Sequence, residues 1–295
     1  MSFSSEVKTE LCRGNPVQKK CCALAECYGV LLYCNTFSSR EIRIRTGSDS
    51  FAARLPRLFR RAFGLELPPR QEAGNMHTFV LADAAAIRRI FEAYGYDPDS
   101  AVQHHINLAV LEESCCRVAF VRGAFLAGGS VMDPAGRYHL ELVTDHASVA
   151  REAYSILLEM GFAPKDIRRG VHHVIYFKNS EEIEDLLTTI GAPLAAMNLM
   201  QAKVEKNMRN AVNRRVNCDS ANADKVVSAA QSQLEHIRAL SETVGLENLP
   251  EDLQEVALLR LANPSASLSD LALLSESRMS KSGISHRMRK LMNYK

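Results

Sequence analysis

Between Ser277 and Lys295 the chain carries six basic residues, Arg278, Lys281, Arg287, Arg289, Lys290 and Lys295, and no acidic one. Cations grouped on one side of a helix neutralise phosphates, while the hydroxyls and imidazole among them can reach base edges. The helical period separates these roles: Ile284, Met288 and Leu291 fall at i, i+4 and i+7, and Lys281, Ser282, Ser285, His286 and Arg289 fall opposite. One face packs and the other is open to double-stranded DNA. In a major-groove docking Lys281, Ser282 and Ser285 are expected at bases, and His286 and Arg289 at bases or phosphates. Arg278, Arg287 and Lys290 are expected at phosphates, with Ser280 counted among the contacts where the helix starts.

Two vicinal cysteine pairs, Cys21-Cys22 and Cys115-Cys116, are the other residues with latent chemistry. Four thiolates meeting near an axis would suit a structural zinc ion. Structural zinc sites, however, usually place two or more residues between their cysteines so that both sulfurs face one ion, and adjacent residues at a helix start point in different directions. The expectation is therefore no metal and no cofactor, with the cysteines serving as small buried side chains. No phosphate-cradling glycine loop or metal-spaced histidine cluster is evident either.

The elements that must position the basic helix are legible upstream. Pro250 precedes an amphipathic run with Leu253, Val256, Ala257, Arg260 and Leu261 at helical spacing, and Asn263-Pro264 stops it. Ser267, with Asp270 three residues on, makes a capping-box variant for a second helix whose inner face is Leu268, Leu271, Ala272 and Leu274. Residues 251–293 thus read as a helix-turn-helix within a helical domain over 220–295. Before it, 201–219 forms a basic bridge in which Asn207, Asn210, Asn213 and Asn217 make one helical stripe among Lys203, Lys206, Arg209, Arg214 and Arg215. Asparagine is a poor helix former, so these amides are expected to bond at a domain junction or to nucleic acid, with Arg209, Asn210, Asn213 and Arg214 as candidates for a second DNA surface. A further helix is expected over Lys225 to Val244.

The first two thirds repeat themselves. Cys21, Cys22 and Gly29 recur at an offset of 94 as Cys115, Cys116 and Gly123, and Ile87, Ile90, Phe91 and Gly95 are echoed at an offset of 96 by Ile183, Leu186, Leu187 and Gly191. Within each half, period-2 segments (Glu41 to Arg45, Tyr138 to Val143) predict strands, and helices are expected over Phe51 to Phe63 and Val149 to Phe162. Second strands follow at Thr78 to Leu81 and Val174 to Phe177, and each closing helix stops at a glycine suited to a left-handed cap. The halves span about 17–97 and 111–195 of a domain over 1–200. Arg40, Arg43 and Arg45 alternate along one strand and offer another possible DNA surface.

The segment Val121 to Val131, VRGAFLAGGSV, resembles the LAGLIDADG helix of homing endonucleases, whose pseudo-twofold αββαββα halves match this repeat. In active members each such helix ends in a metal-holding acid; here Cys34 and Gly128 stand at those positions, so no catalytic residue is assigned. Taken with Met1 to Lys8, Tyr138 to Glu141, Met208 to Cys218 and Ser280 to Lys290, the chain is similar from end to end to the WhiA family. That resemblance implies an α+β fold, a degenerate LAGLIDADG-like repeat followed by an all-α helix-turn-helix domain. It also implies a transcription regulator involved in cell division, chromosome segregation and/or sporulation that binds DNA without cutting it.

Composition frames these expectations. At 295 residues, 46% hydrophobic and 24% charged, the chain suits about two globular domains. No apolar run approaches the roughly 20 residues of a membrane span, and the expected location is the cytoplasm, at the nucleoid. Thirty-six Lys and Arg against 34 Asp and Glu leave a net charge of +2, so nucleic-acid binding rests on local clustering. Two alternatives stand beside the regulator: a metal-dependent nuclease using other acids, and a scaffold for another transcription or division protein.

Overall fold

The computed structural model describes residues 2–14, 17, 19–67, 71–97, 104–275 and 277–294; Lys295 of the basic tail lies outside them. The chain divides into two compact units, Met1–Lys206 and Asn207–Lys295.

In the first unit, α1 (Phe3–Gly14) precedes two copies of one αββαββα pattern. The first copy is α2 (Lys20–Tyr33), β1 (Thr36–Phe37), β2 (Ile42–Thr46), α3 (Asp49–Phe63), β3 (Gln71–Ala73), β4 (Met76–Leu81) and α4 (Ala84–Ala93). The second is α5 (Ser114–Gly128), β5 (Gly129–Val131), β6 (Leu140–Thr144), α6 (Ala147–Glu159), β7 (Lys165–Arg169), β8 (His172–Phe177) and α7 (Ser180–Ile190). Each copy makes an antiparallel four-stranded sheet, ordered β1-β2-β4-β3 and β5-β6-β8-β7. Period-2 alternation sets the faces: β2 buries Ile42, Ile44 and Thr46 and exposes Arg43 and Arg45. In the first copy α3 starts on a side-chain cap, Ser48 accepting from Phe51 N at 3.3 Å, and the closing helix α4 on another, Asp83 accepting from Ala86 N at 2.6 Å. The closing helices end at glycines in left-handed backbone, Gly95 (φ 74°) and Gly191 (φ 100°).

The two copies meet along α2 and α5, which run parallel at very short separation. A Cβ on Gly123 would stand 2.0 Å from the Glu26 carbonyl oxygen, and one on Gly29 would stand 2.1 Å from that of Phe120. Only glycine permits backbones this close. Ala23, Cys27, Val30, Leu31, Ala119, Phe120, Ala124 and Phe125 are buried in the surrounding core. Glu26 is buried there as well, its carboxylate held by Arg54 Nε and Nη2 at 2.6 and 2.8 Å and approached by Arg122 Nη1 at 3.4 Å. Arg122 in turn donates to the Ile190 carbonyl at 2.6 Å.

Three expectations are corrected. The vicinal cysteines do not diverge: the four sulfur atoms of Cys21, Cys22, Cys115 and Cys116 lie within 4.8 Å of one another. Parallel helices crossing in glycine contact carry their first turns together, which spacing along a single helix does not reveal. Arg40 is not on the strand with Arg43 and Arg45 but in the preceding turn, where Ser38 N bonds Glu41 O at 3.0 Å. The bridge and the segment after it are one helix, α8 (Pro193–Thr243), since no glycine or proline interrupts 194–244; it stops before Gly245 (φ 82°).

In the second unit, Ile237 and Leu240 of α8 join Leu249 and residues of α9 (Glu251–Ala262), α10 (Leu268–Leu274) and α11 (Lys281–Met292) in a separate core. No helix among the described residues is long and apolar enough to cross a membrane.

Candidate nucleic-acid interface

The basic helix α11 is held by contacts from α9 and from both turns. Ile284, Met288 and Leu291 are buried against Val256, Ala257 and Leu271. Ser280 caps α11 by accepting from Gly283 N at 3.2 Å, and its hydroxyl lies 2.9 Å from that of Ser282. Ser267 and Asp270 complete a reciprocal capping box at the start of α10. Between α9 and α10 the fully buried Arg260 donates from Nη1 to the Ala266 carbonyl at 2.6 Å, pinning the turn. Between α10 and α11, Glu255 accepts from the hydroxyls of Ser277 and Ser275 at 2.8 and 3.1 Å. The Ser277 bond above all holds the Glu255 carboxyl below its usual range. Sequence reasoning missed the roles of both residues. The one available signal was a charged arginine in the apolar register of α9.

The expected contact residues fall into two groups. Lys281, Ser282, His286, Arg289 and Lys290 are exposed on α11, with Ser285 half-buried beside them. Arg278 is exposed in the turn before α11, in left-handed backbone (φ 51°). Ser280 is occupied by capping. Arg287 turns toward α9, within 3.9 Å of Asp252 and 4.0 Å of Glu255, and bonds the Met279 sulfur.

Of the further candidate contacts, Arg40, Arg43 and Arg45 are exposed in the first unit, and Arg43 is paired with Glu41 at 2.8 Å. Arg209, Asn210, Asn213 and Arg214 are all exposed on α8, where Arg214 Nε donates to the Asn210 carbonyl at 3.3 Å. Two other bridge cations serve the first unit instead. Lys206 donates to the Gly136 carbonyl at 2.6 Å and sits over the Tyr138 ring, and Lys203 pairs with Glu181 at 3.2 Å.

Comparison with known proteins decides what these units are. Residues 117–209 match the WhiA LAGLIDADG-like domain and residues 212–295 the WhiA C-terminal HTH domain. A "Probable cell division protein WhiA" of Ruminiclostridium cellulolyticum is 37% identical over 301 residues, covering 99% of this chain and 96% of its own. The chain belongs to the WhiA family. The protein of the same name from Heliobacterium modesticaldum is also 37% identical, over 303 residues, covering 99% of this chain and 95% of its own. The fold agrees: full-length WhiA of Thermotoga maritima superposes with a TM-score of 0.61 at 24% identity, covering 99% of this chain and 97% of that one. The isolated N-terminal LAGLIDADG domain of WhiA gives a TM-score of 0.51 at 19% identity, covering 64% of this chain and 90% of that one.

In this WhiA chain the ends of the paired helices are built without acids. Cys34 caps α2 with its thiol bonded to the Leu31 and Thr36 carbonyls at 3.1 and 3.2 Å, and burial pushes that thiol up to about 12. At the end of α5, a Cβ on Gly128 would stand 2.5 Å from the Val143 carbonyl oxygen and 3.1 Å from the Tyr33 ring. A side chain there, acidic or otherwise, has no room.

Proposed function

We propose that this chain is a sequence-specific, DNA-binding transcription regulator that acts in cell division, chromosome segregation and sporulation without cleaving DNA. The observation that carries the reading is α11, whose inner face is fixed by three buried apolar residues while its outer face presents Lys281, Ser282, His286, Arg289 and Lys290. A rigid helix with polar groups at its exposed start and cations along its flank fits a major groove. Lys281, Ser282 and Ser285 read bases, His286 and Arg289 reach bases or phosphates, and Arg278 and Lys290 hold phosphates. Arg287 orients the helix through Asp252 and Glu255. Arg40, Arg43, Arg45, Arg209 and Arg214, with Asn210 and Asn213, supply further phosphate contacts. The helix ends at Cys34 and Gly128 support binding without hydrolysis, since phosphodiester cleavage in the homing-nuclease manner needs carboxylates there to hold metal. The names of the relatives support the division role. The site of action on this reading is the nucleoid.

The test is binding of the full chain to genomic fragments over a salt series, with and without magnesium, for wild type and Lys281→Ala/Arg289→Ala. Each phosphate that the variant no longer neutralises should flatten the slope of log affinity against log salt by about 0.9, with the fragments left uncut. Unchanged binding in the double variant, or magnesium-dependent cutting, would overturn the reading.

A further inference from the structure

The first turns of α2 and α5 carry a four-cysteine cluster that the DNA-binding reading does not use. Cys21 and Cys22 come from one repeat and Cys115 and Cys116 from the other, and all four sulfurs lie within 4.8 Å of one another. A tetrahedral tetrathiolate zinc with bonds of about 2.3 Å has sulfur-to-sulfur edges of about 3.8 Å, so small rotations of the four side chains would close the cage. We propose that these four cysteines form a structural site for one thiophilic, tetrahedral divalent cation, zinc by chemistry, which clamps the two repeats together across their pseudo-twofold seam.

The placement favours the ion for three reasons. Parallel helices put both N-terminal dipole ends beside the sulfurs, which stabilises thiolates and offsets the double negative charge of a zinc tetrathiolate. The donors are all sulfur, the ligand set that selects zinc over magnesium or calcium. The sulfurs also crowd one another as thiols. Binding would release four protons as zinc replaces them, with no change of oxidation state. The cluster lies at the opposite ends of α2 and α5 from Cys34 and Gly128. Cys34, the C-cap of α2, is twelve positions after Cys22, a rise of about 18 Å along the helix.

The experiment uses the full chain, purified under reducing conditions without chelator. Zinc is measured by elemental mass spectrometry, and cobalt is then titrated into chelator-stripped protein. One zinc per chain, together with the thiolate-to-cobalt charge-transfer band and strong visible absorption of tetrahedral cobalt, is expected. Cys22→Ser/Cys116→Ser should lose both, while Cys218→Ser, at an exposed position on α8, should keep both. Should the double variant fail to fold, alkylation of wild type decides the matter: zinc should shield these four cysteines from iodoacetamide and chelation should unmask them. Reduced protein that takes up neither zinc nor cobalt would overturn the proposal. So would metal retained by the folded double variant, alkylation indifferent to zinc, or a chain from cells lighter by four hydrogens and free of metal, which marks two disulfides.

Discussion

Replacing Gly123 with alanine tests the seam directly. The added Cβ would meet the Glu26 carbonyl oxygen at 2.0 Å and Val30 N at 3.1 Å, both of them backbone atoms that no rotamer change can move. Bringing the first contact out to about 3.2 Å requires α2 and α5 to part locally by about 1.2 Å, and a gap of 0.5 to 1 Å already forfeits roughly a quarter to a half of the dispersion well for each facing atom pair. Val30, Leu31, Ala119, Phe120 and Ala124 lie in the core beside the seam, so the cost belongs at the top of the range for overpacking, about 3 kcal/mol. The bonds between Glu26 and Arg54 would loosen with it. Urea unfolding followed by circular dichroism should show the midpoint falling, with Gly47→Ala as control, where a Cβ meets its nearest atoms at an ordinary 3.6 Å. A loss below about 0.5 kcal/mol for Gly123→Ala, the scatter of surface substitutions, would refute the close-approach account of the seam.

Three further outcomes are expected. Arg54→Met strands the buried Glu26 carboxylate with Arg122 as its remaining guanidinium and should cost about 3 to 5 kcal/mol in urea unfolding, most of it recovered in the Glu26→Gln/Arg54→Met double variant. Ser280→Ala removes the cap of α11 and should cost about 1 kcal/mol, read by thermal unfolding of the second unit, while weakening DNA binding by displacing Lys281 and Ser282. His104, stacked on Phe37 and bonded to its carbonyl at 2.6 Å, is held down to about 4 by burial and by His146 beside it. Its folded value lies below the unfolded 6.5, so the unfolded chain binds more protons between those limits. The stability from His104 is complete above about pH 6.5 and is lost as pH falls toward 4, a change on the order of 1 to 3 kcal/mol that His104→Gln should flatten in urea midpoints measured at about pH 7.5 and about pH 4.5.

The repeat was legible because its signals are local. Strand alternation, the caps at Ser267 and Gly191, and the apolar stripe of α11 each depend on residues a few positions apart, and the structure places those elements within a few residues of expectation. What the sequence hid depends on crossings between distant segments. Whether Cys22 faces Cys115 is set by the rotation of two helices about a glycine contact, and the two cysteines are 93 positions apart along the chain. Arg287 sits in the basic series by spacing, yet Asp252 and Glu255 draw it inward from another helix. Arg260 was legible as part of the packed face of α9 but not as the pin of its turn, because its acceptors are loop carbonyls. The exposed cations of α11 needed only periodicity.

Gly128 also bears on the substitutions open to this fold. With the Val143 carbonyl 2.5 Å from where its Cβ would stand, a change of Gly128 to aspartate requires the backbone at this helix end to shift. Either the strand bearing Val143 or the end of α5 has to give way. This helix end is thus closed to larger side chains by sterics alone, whatever surface the rest of the scaffold comes to present.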